Sequence, residues 1–220
     1  NTQCYMKTKG KISGGTWASF LNHFNKNKKI KNPSKNLNIE SIYKDKVIFY
    51  NKDLKKWALL FPDVDRYIIN RSSNLISSYG NKLRFTKYML FPSIYKIILL
   101  LVPLFFISIL AKFKSSKKWL ESFIPSGTGP SKQERKKHWF KYTIIGKTLN
   151  QKIVTTVSGG DPGYGETSKF VTEMALSIII DYNKLNLNKG VLTPSSCAGD
   201  IMLGRLKKSG ITIKHQIYDV

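Results

Sequence analysis

Residues 151–182 read QKIVTTVSGGDPGYGETSKFVTEMALSIIIDY, and their reading decides the fold. Gln151–Ser158 alternates β-branched with polar residues, which is the period-2 signature of a strand. Gly159 to Thr167 is a glycine-rich turn. Ser168–Tyr182 then follows a helical period. Upstream, Trp139–Lys147 alternates in the same way and is joined to the first strand at Thr148-Leu149-Asn150, so 139–158 reads as a β-hairpin. Downstream, Gly190–Pro194 is extended, Ser195–Ser209 is a second helix closed by Gly210, and Ile211–Ile217 is a last strand. Strands, helix, helix, strand is an α+β order.

The N-terminal half supports the same class. Residues 3–12 alternate as a strand, Ser13-Gly14-Gly15-Thr16 turns and caps, and Trp17–Phe24 is helical. Residues 25–45 are rich in Lys and Asn and read as a loop. Val47–Tyr50 and Trp57–Phe61 form a hairpin around Asn51-Lys52-Asp53. Pro62–Asp65 is a turn, in which Asp63 and Asp65 take turn or cap roles. Tyr67–Tyr79 reads as a helix and Leu83–Phe91 as a strand. Asn1 stands almost at the start of a strand, which is expected where upstream sequence is missing.

Between Lys96 and Lys112 lie fifteen residues without a charge, and Ser108 is their one polar side chain. As a helix this run spans roughly 22 Å, against about 30 Å for a bilayer core. Pro103 sits in its middle. A kinked helix or a re-entrant hairpin dipping into one leaflet fits this length, with Lys96, Lys112, Lys114, Lys117 and Lys118 at the headgroups. The other reading is a buried core helix. The residues expected to meet lipid are Ile97, Leu100, Leu101, Pro103, Phe105, Phe106 and Ile109. Pro125-Ser-Gly-Thr-Gly-Pro130 reads as a linker.

The chain has 220 residues, with 37 Lys+Arg against 13 Asp+Glu and a net charge of +24. Such a field favours anionic partners, although scattered lysines also fit a general compositional drift. Nucleic acid is not expected as a partner. Lys26–Lys35 and Lys132–Lys137 are basic but lack interleaved stacking aromatics. Cys4 and Cys197 allow one disulfide and suit a reducing compartment equally. His23, His138 and His215 are scattered and no metal site is expected.

Gly160 to Thr167 has the spacing of a phosphate loop with Glu166 in place of the lysine. A carboxylate there repels phosphate, and Pro162 removes an N–H donor, so nucleotide binding is excluded at this turn. Two readings stay open: a tight strand-to-helix turn, or the wall of a substrate cleft with Asp161 and Tyr164 at the helix mouth. No Gly-x-Gly-x-x-Gly follows a strand; Gly127-Thr-Gly129 precedes Pro130 and is in the wrong context.

An ordered set of segments resembles the saccharopine dehydrogenase-like oxidoreductases. They are Gly14-Gly15-Thr16-Trp17-Ala18-Ser19, Arg71-Ser72, the apolar run, Gly127-Thr-Gly129-Pro130-Ser131-Lys132-Gln133, the turn Ser158–Ser168, and Gly190–Pro194 with Gly199-Asp200, Leu206 and Gly210-Ile211. The turn is also close to its form in the family's trans-acting enoyl reductases. The resemblance implies a mixed-sheet C-terminal domain of a Rossmann-containing oxidoreductase, carrying a hydrophobic helical insertion. It implies NAD or NADP held by residues upstream of Asn1, and none held by this chain alone. Its domain division is 1–91, 92–124 as the insertion, and 125–220.

The expected function is the substrate and lid part of an NAD(P)-linked enzyme acting on a lipid-like substrate. The alternative is a non-catalytic, membrane-anchored scaffold that keeps the fold. Tyr164 is the candidate proton donor and Asp161 its orienting group, while Arg71, Gly160 and Gly163 are candidate substrate-binding residues. Expected partners are a membrane or lipid-droplet surface, and a second copy or a separate N-terminal half. The expected location is the cytoplasmic side of a lipid droplet, the endoplasmic reticulum or a mitochondrial membrane.

Overall fold

The β-branched alternation at 139–159 yields two strands of equal length, which a computed structural model places at the middle of a mixed sheet. The structure describes residues 2–24, 45–61, 65–79, 83–148, 150–185 and 190–219. In chain order the first elements are β1 (Thr2–Lys9), α1 (Gly14–His23), β2 (Ile48–Asn51), β3 (Lys56–Leu60), α2 (Asp65–Leu75), β4 (Phe85–Phe91) and α3 (Ile94–Leu110). The remainder are α4 (Lys114–Phe123), α5 (Lys132–Arg135), β5 (Trp139–Lys147), β6 (Gln151–Gly159), α6 (Gly165–Ile180), α7 (Pro194–Lys208) and β7 (Thr212–Asp219). The fold is α+β. Of the sequence expectations, the loop at 25–44, residues 62–64 with Asp63, and Leu149 lie outside the described residues.

The chain forms two compact units. One comprises Asn1–Gly10, Leu60–Leu90 and Gln133–Val220; the other comprises Lys11–Leu59 and Phe91–Lys132. In the first, the strands lie side by side as β4-β1-β5-β6-β7. β1 runs parallel to β4, with Tyr5 opposite Tyr88. It runs antiparallel to β5, with Tyr5 opposite Thr143. The remaining pairs are antiparallel, with Phe140 opposite Gly159 and Ser158 opposite Thr212. Cys4, Tyr5, Met6, Tyr88, Phe140 and Ile145 supply its buried apolar side chains. Gly159 has no room for a side chain: a Cβ there would meet the Phe140 ring at 2.8 Å and Ile211 at 2.9 Å.

Hydroxyls and charges join the helices of this unit. Ser72 Oγ lies 2.8 Å from Thr193 Oγ1, tying α2 to the start of α7. Thr193 and Ser196 cap α7 reciprocally, with Pro194 at its first position. Arg205 of α7 donates to Asp181, just beyond α6, at 2.8 Å. Gly210 closes α7 at φ 98°, a left-handed conformation that glycine adopts without strain.

In the second unit, Leu21 of α1, Leu120 of α4 and Ala111 form the core, with Trp17, Phe20, Phe24 and Ile107 packed around them. Trp17 Nε1–H donates to Leu120 O at 2.7 Å. β2 and β3 form the expected hairpin, in which Asn51 Oδ1 accepts from Leu54 N at 2.9 Å.

Several expectations need correction. The apolar run is one unbroken helix through Pro103, so a re-entrant hairpin is excluded. One proline removes one hydrogen bond and adds one clash, whereas a turn inside the run would free several backbone groups among apolar side chains. A buried core helix is excluded as well, because Ile97 is the only buried residue of α3. Ile97 for its part cannot be among the lipid-meeting residues, being 0% exposed. Among the described residues no helix is long and apolar enough to cross a membrane. Residues 125–130 are not a free linker: Gly14 N–H donates to Thr128 O at 2.9 Å, and Pro130 is buried. α4 forms just before that segment, inside the 92–124 insertion, as a helix separate from the apolar run. The helix expected over 67–79 ends at Leu75, and a 3₁₀ turn covers Ser77–Tyr79.

α1 begins three residues early, because Ser13 is its N-cap and accepts from Thr16 N. Gly14 is thereby set against the Pro125 backbone, where a Cβ would overlap the Pro125 carbonyl. Gly14→Ala is expected to destabilise the chain by about 1–3 kcal/mol through overpacking. The urea midpoint should fall. Gly15→Ala, where a Cβ meets nothing, should leave it within about 0.5 kcal/mol of wild type.

Candidate functional site

The β5–β6 hairpin ends at Trp139 and Gly159, and its register, carried two residues further, brings His138 opposite Asp161. The structure realises that pairing. His138 Nδ1 lies 2.6 Å from Asp161 Oδ1, with both side chains buried. The other carboxylate oxygen accepts from Tyr164 N at 2.7 Å and Gly165 N at 3.0 Å. Asp161 therefore holds the first two amides of α6, at its N-cap Tyr164 and at Gly165, and the helix starts at Gly165, three residues before the apolar period alone suggests.

Burial pushes the Asp161 carboxyl up, but the Gly165 and Tyr164 amides and the His138 contact outweigh it and hold its pKa below the ordinary value. A carboxylate can only accept, so His138 carries a proton on Nδ1.

Glu166 closes the turn from the other side. Its Oε1 accepts from Gly160 N at 2.9 Å, and its Oε2 is ion-paired with Lys169 Nζ at 2.6 Å. Thr167 Oγ1 donates to Pro162 O at 2.7 Å. The amides that a phosphate would need at this helix start are thus taken by the chain's own carboxylates. This turn does not fit a dinucleotide pyrophosphate.

The sequence-derived candidates fall as follows. Asp161 touches Tyr164 through the backbone amide rather than the phenol. The Tyr164 ring is exposed and faces the Arg135 guanidinium at 5.7 Å. Gly160 spends its N–H on Glu166, and Gly163 is exposed at the tip of the turn. Arg71 sits elsewhere, on α2, donating to Val191 O at 3.2 Å. Of the lipid-meeting candidates, Leu101, Pro103, Phe105, Phe106 and Ile109 are exposed, and Leu100 is half-buried.

His138 is the residue that sequence reasoning missed. The signal was present: the hairpin centred on Thr148–Gln151 brings positions 138 and 161 together. A shallow depression lined by Thr148, Asn150, Gln151 and Asp219 lies at the opposite end of this hairpin. Among the described residues that line it there is one carboxylate and no basic side chain. Among the described residues no group of three or more His, Cys, Asp or Glu could hold a metal ion.

The chain is similar to curated proteins of two kinds. It is 31% identical over 96 residues to a trans-acting enoyl reductase of Mycobacterium ulcerans, covering 43% of this chain and 23% of that protein. A trans-acting enoyl reductase of Mycobacterium leprae is 30% identical over 89 residues, covering 40% and 21%. A lipid droplet localized protein of Caenorhabditis elegans is 27% identical over 172 residues, covering 68% and 40%. The chain spans less than half the length of these relatives. No family profile matches it, and no solved structure does. Two of these relatives are named as enoyl reductases and one is named for the lipid droplet.

Proposed function

We propose that this chain is the substrate-side part of a saccharopine dehydrogenase-like, NAD(P)-linked oxidoreductase that acts on a lipid-like substrate at a membrane or lipid-droplet surface. The observation that carries this reading is α3, an apolar helix left largely uncovered in a chain similar both to enoyl reductases and to a lipid droplet protein. The mixed sheet and the order of the segments agree with the saccharopine dehydrogenase-like resemblance. The nucleotide is held by residues outside this chain, since the β6–α6 turn does not fit it. Within the chain, Tyr164 is the exposed proton donor, and Asp161 fixes its backbone.

The test uses the full-length protein that contains this chain, following NAD(P)H absorbance in the presence of an α,β-unsaturated acyl lipid. Tyr164→Phe is expected to lower kcat/KM about 100-fold, as removal of a general acid does. An unchanged value removes Tyr164 from the mechanism.

One observation favours a second reading, a non-catalytic scaffold. Asp161, His138 and Glu166 are buried and bonded to one another's segments. Absence of NAD(P)H oxidation with either nucleotide in the full-length protein would select the scaffold.

A further inference from the structure

α3 is covered along a narrow stripe only. Ile97 and Ala111 are buried, and Leu100, Leu104 and Ile107, between them at helical spacing, are half-buried. This stripe faces the protein, with Ile107 and Ala111 joining the core of their unit. The rest of the circumference is apolar and uncovered: Tyr95 is 78% exposed, Leu99 74%, Phe105 61% and Phe106 58%. A surface helix in water carries polar residues on that side. Here the polar side is replaced by the protein body, and the apolar side points outward. Patches of this kind mark a docking face.

The next element names the occupant. α4 exposes Trp119 and Phe123, packed edge to face at 4.7 Å, and Phe113 is exposed at its N-cap. Aromatic side chains of this sort settle at the headgroup level of a lipid surface. Lysines surround the apolar helix: Lys96 near its start, and Lys112, Lys114 and Lys118 after its end, all exposed. Glu121 is the only carboxylate between Ile94 and Phe123, and Lys117 holds it at 3.4 Å. Among the described residues no carboxylate pairs with the other four lysines. A protein partner for so apolar a helix needs no collar of unpaired cations, whereas an anionic lipid surface matches both features.

We infer that α3 and α4 form a monotopic anchor for one leaflet bearing anionic phospholipid headgroups. α3 lies among the acyl chains, Phe113, Trp119 and Phe123 sit at the headgroup boundary, and Lys96, Lys112, Lys114 and Lys118 contact the headgroups. With 17 residues, α3 is about 25 Å long and reaches no second interface. The inference rests on the lipid-surface part of the proposed function and is independent of the redox part.

The experiment is co-sedimentation of the full chain with phosphatidylcholine vesicles, with and without phosphatidylserine. Binding is expected with phosphatidylserine and much weaker without it. Lys112→Gln and Lys114→Gln should each weaken binding about fivefold, the effect of one lysine near an anionic surface. Phe105→Asp should weaken it about 100-fold, as a charge placed among acyl chains does. These side chains are exposed, so circular dichroism should show an unchanged fold. Equal binding to both vesicles, or lysine variants that bind as wild type, overturns the anionic headgroup assignment. Failure of the wild type to bind, with a concentration-dependent dimer that Phe105→Asp dissolves, assigns the face to a second copy and overturns the anchor. Loss of NAD(P)H oxidation in the full-length protein bears on the redox reading, whereas loss of vesicle binding bears on the anchor.

Discussion

Replacing Tyr5 by alanine is expected to lower the stability of the chain by about 4 kcal/mol. Tyr5 is 1% exposed and lies on β1, the strand that pairs in parallel with β4 and antiparallel with β5. Its ring stacks on Tyr88 of β4, with centroids 5.6 Å apart, and its hydroxyl donates to Gln3 Oε1 at 2.9 Å. Truncation removes the buried ring area and the aromatic pairing, and leaves a cavity that the two neighbouring strands cannot close without breaking register. A loss of this size is a large part of the 5–15 kcal/mol typical of a domain. The measurement is urea unfolding followed by circular dichroism, with amide hydrogen exchange to localise the change to β1, β4 and β5. Tyr5→Phe should be much milder, near 1 kcal/mol, since only the hydroxyl bond is lost. Equal effects for the two substitutions would show that the ring itself does not hold these strands together.

Asp161→Ala is the second large effect, expected at about 3 kcal/mol. It leaves the His138 Nδ1–H buried without an acceptor and removes the cap from the Tyr164 and Gly165 amides. The pH dependence has a definite sign. The folded-state pKa of Asp161 lies below the unfolded one, so its contribution is present above the ordinary carboxylate value near 3.8 and is lost as pH falls through the lowered value. Wild type should lose stability on that acid limb, and the alanine variant should lack this component. Unfolding midpoints measured from neutral pH down to about 2.5 check it. Parallel profiles for the two proteins would show that Asp161 titrates alike in the folded and unfolded chains.

The elements read correctly from the sequence are those whose stability is local. β5 and β6 alternate β-branched residues across a short turn, so their pairing needs little loop closure. The same hairpin register would have paired His138 with Asp161 had it been extended past the strand ends. α4 was not legible. Its Ser115-Ser116 and its lysines give no core face by themselves, and its helix is held by Leu120 packing on Leu21 and by the Trp17 bond, about a hundred residues away. The linker reading of 125–130 failed for a similar reason. Pro and Gly there signal a turn, but only the approach of Gly14 shows that the turn is packed.

The residues alone settled that this is an α+β chain with a strand–turn–helix unit at 151–182, that Glu166 and Pro162 disqualify its phosphate-loop spacing, and that 97–111 is apolar throughout. These conclusions follow from period, side-chain chemistry and charge, which are properties of neighbours in the chain. Folding alone settled that β1 lies between β4 and β5, that Asp161 accepts from the first amides of α6 and is held by His138, and that α3 is one helix covered on a single narrow stripe. Each of these depends on which distant segments meet. Apolar side chains promise burial without naming the surface that covers them. In α3 much of that surface is not supplied by the described residues, and the apolar run first noted in the sequence stays turned outward.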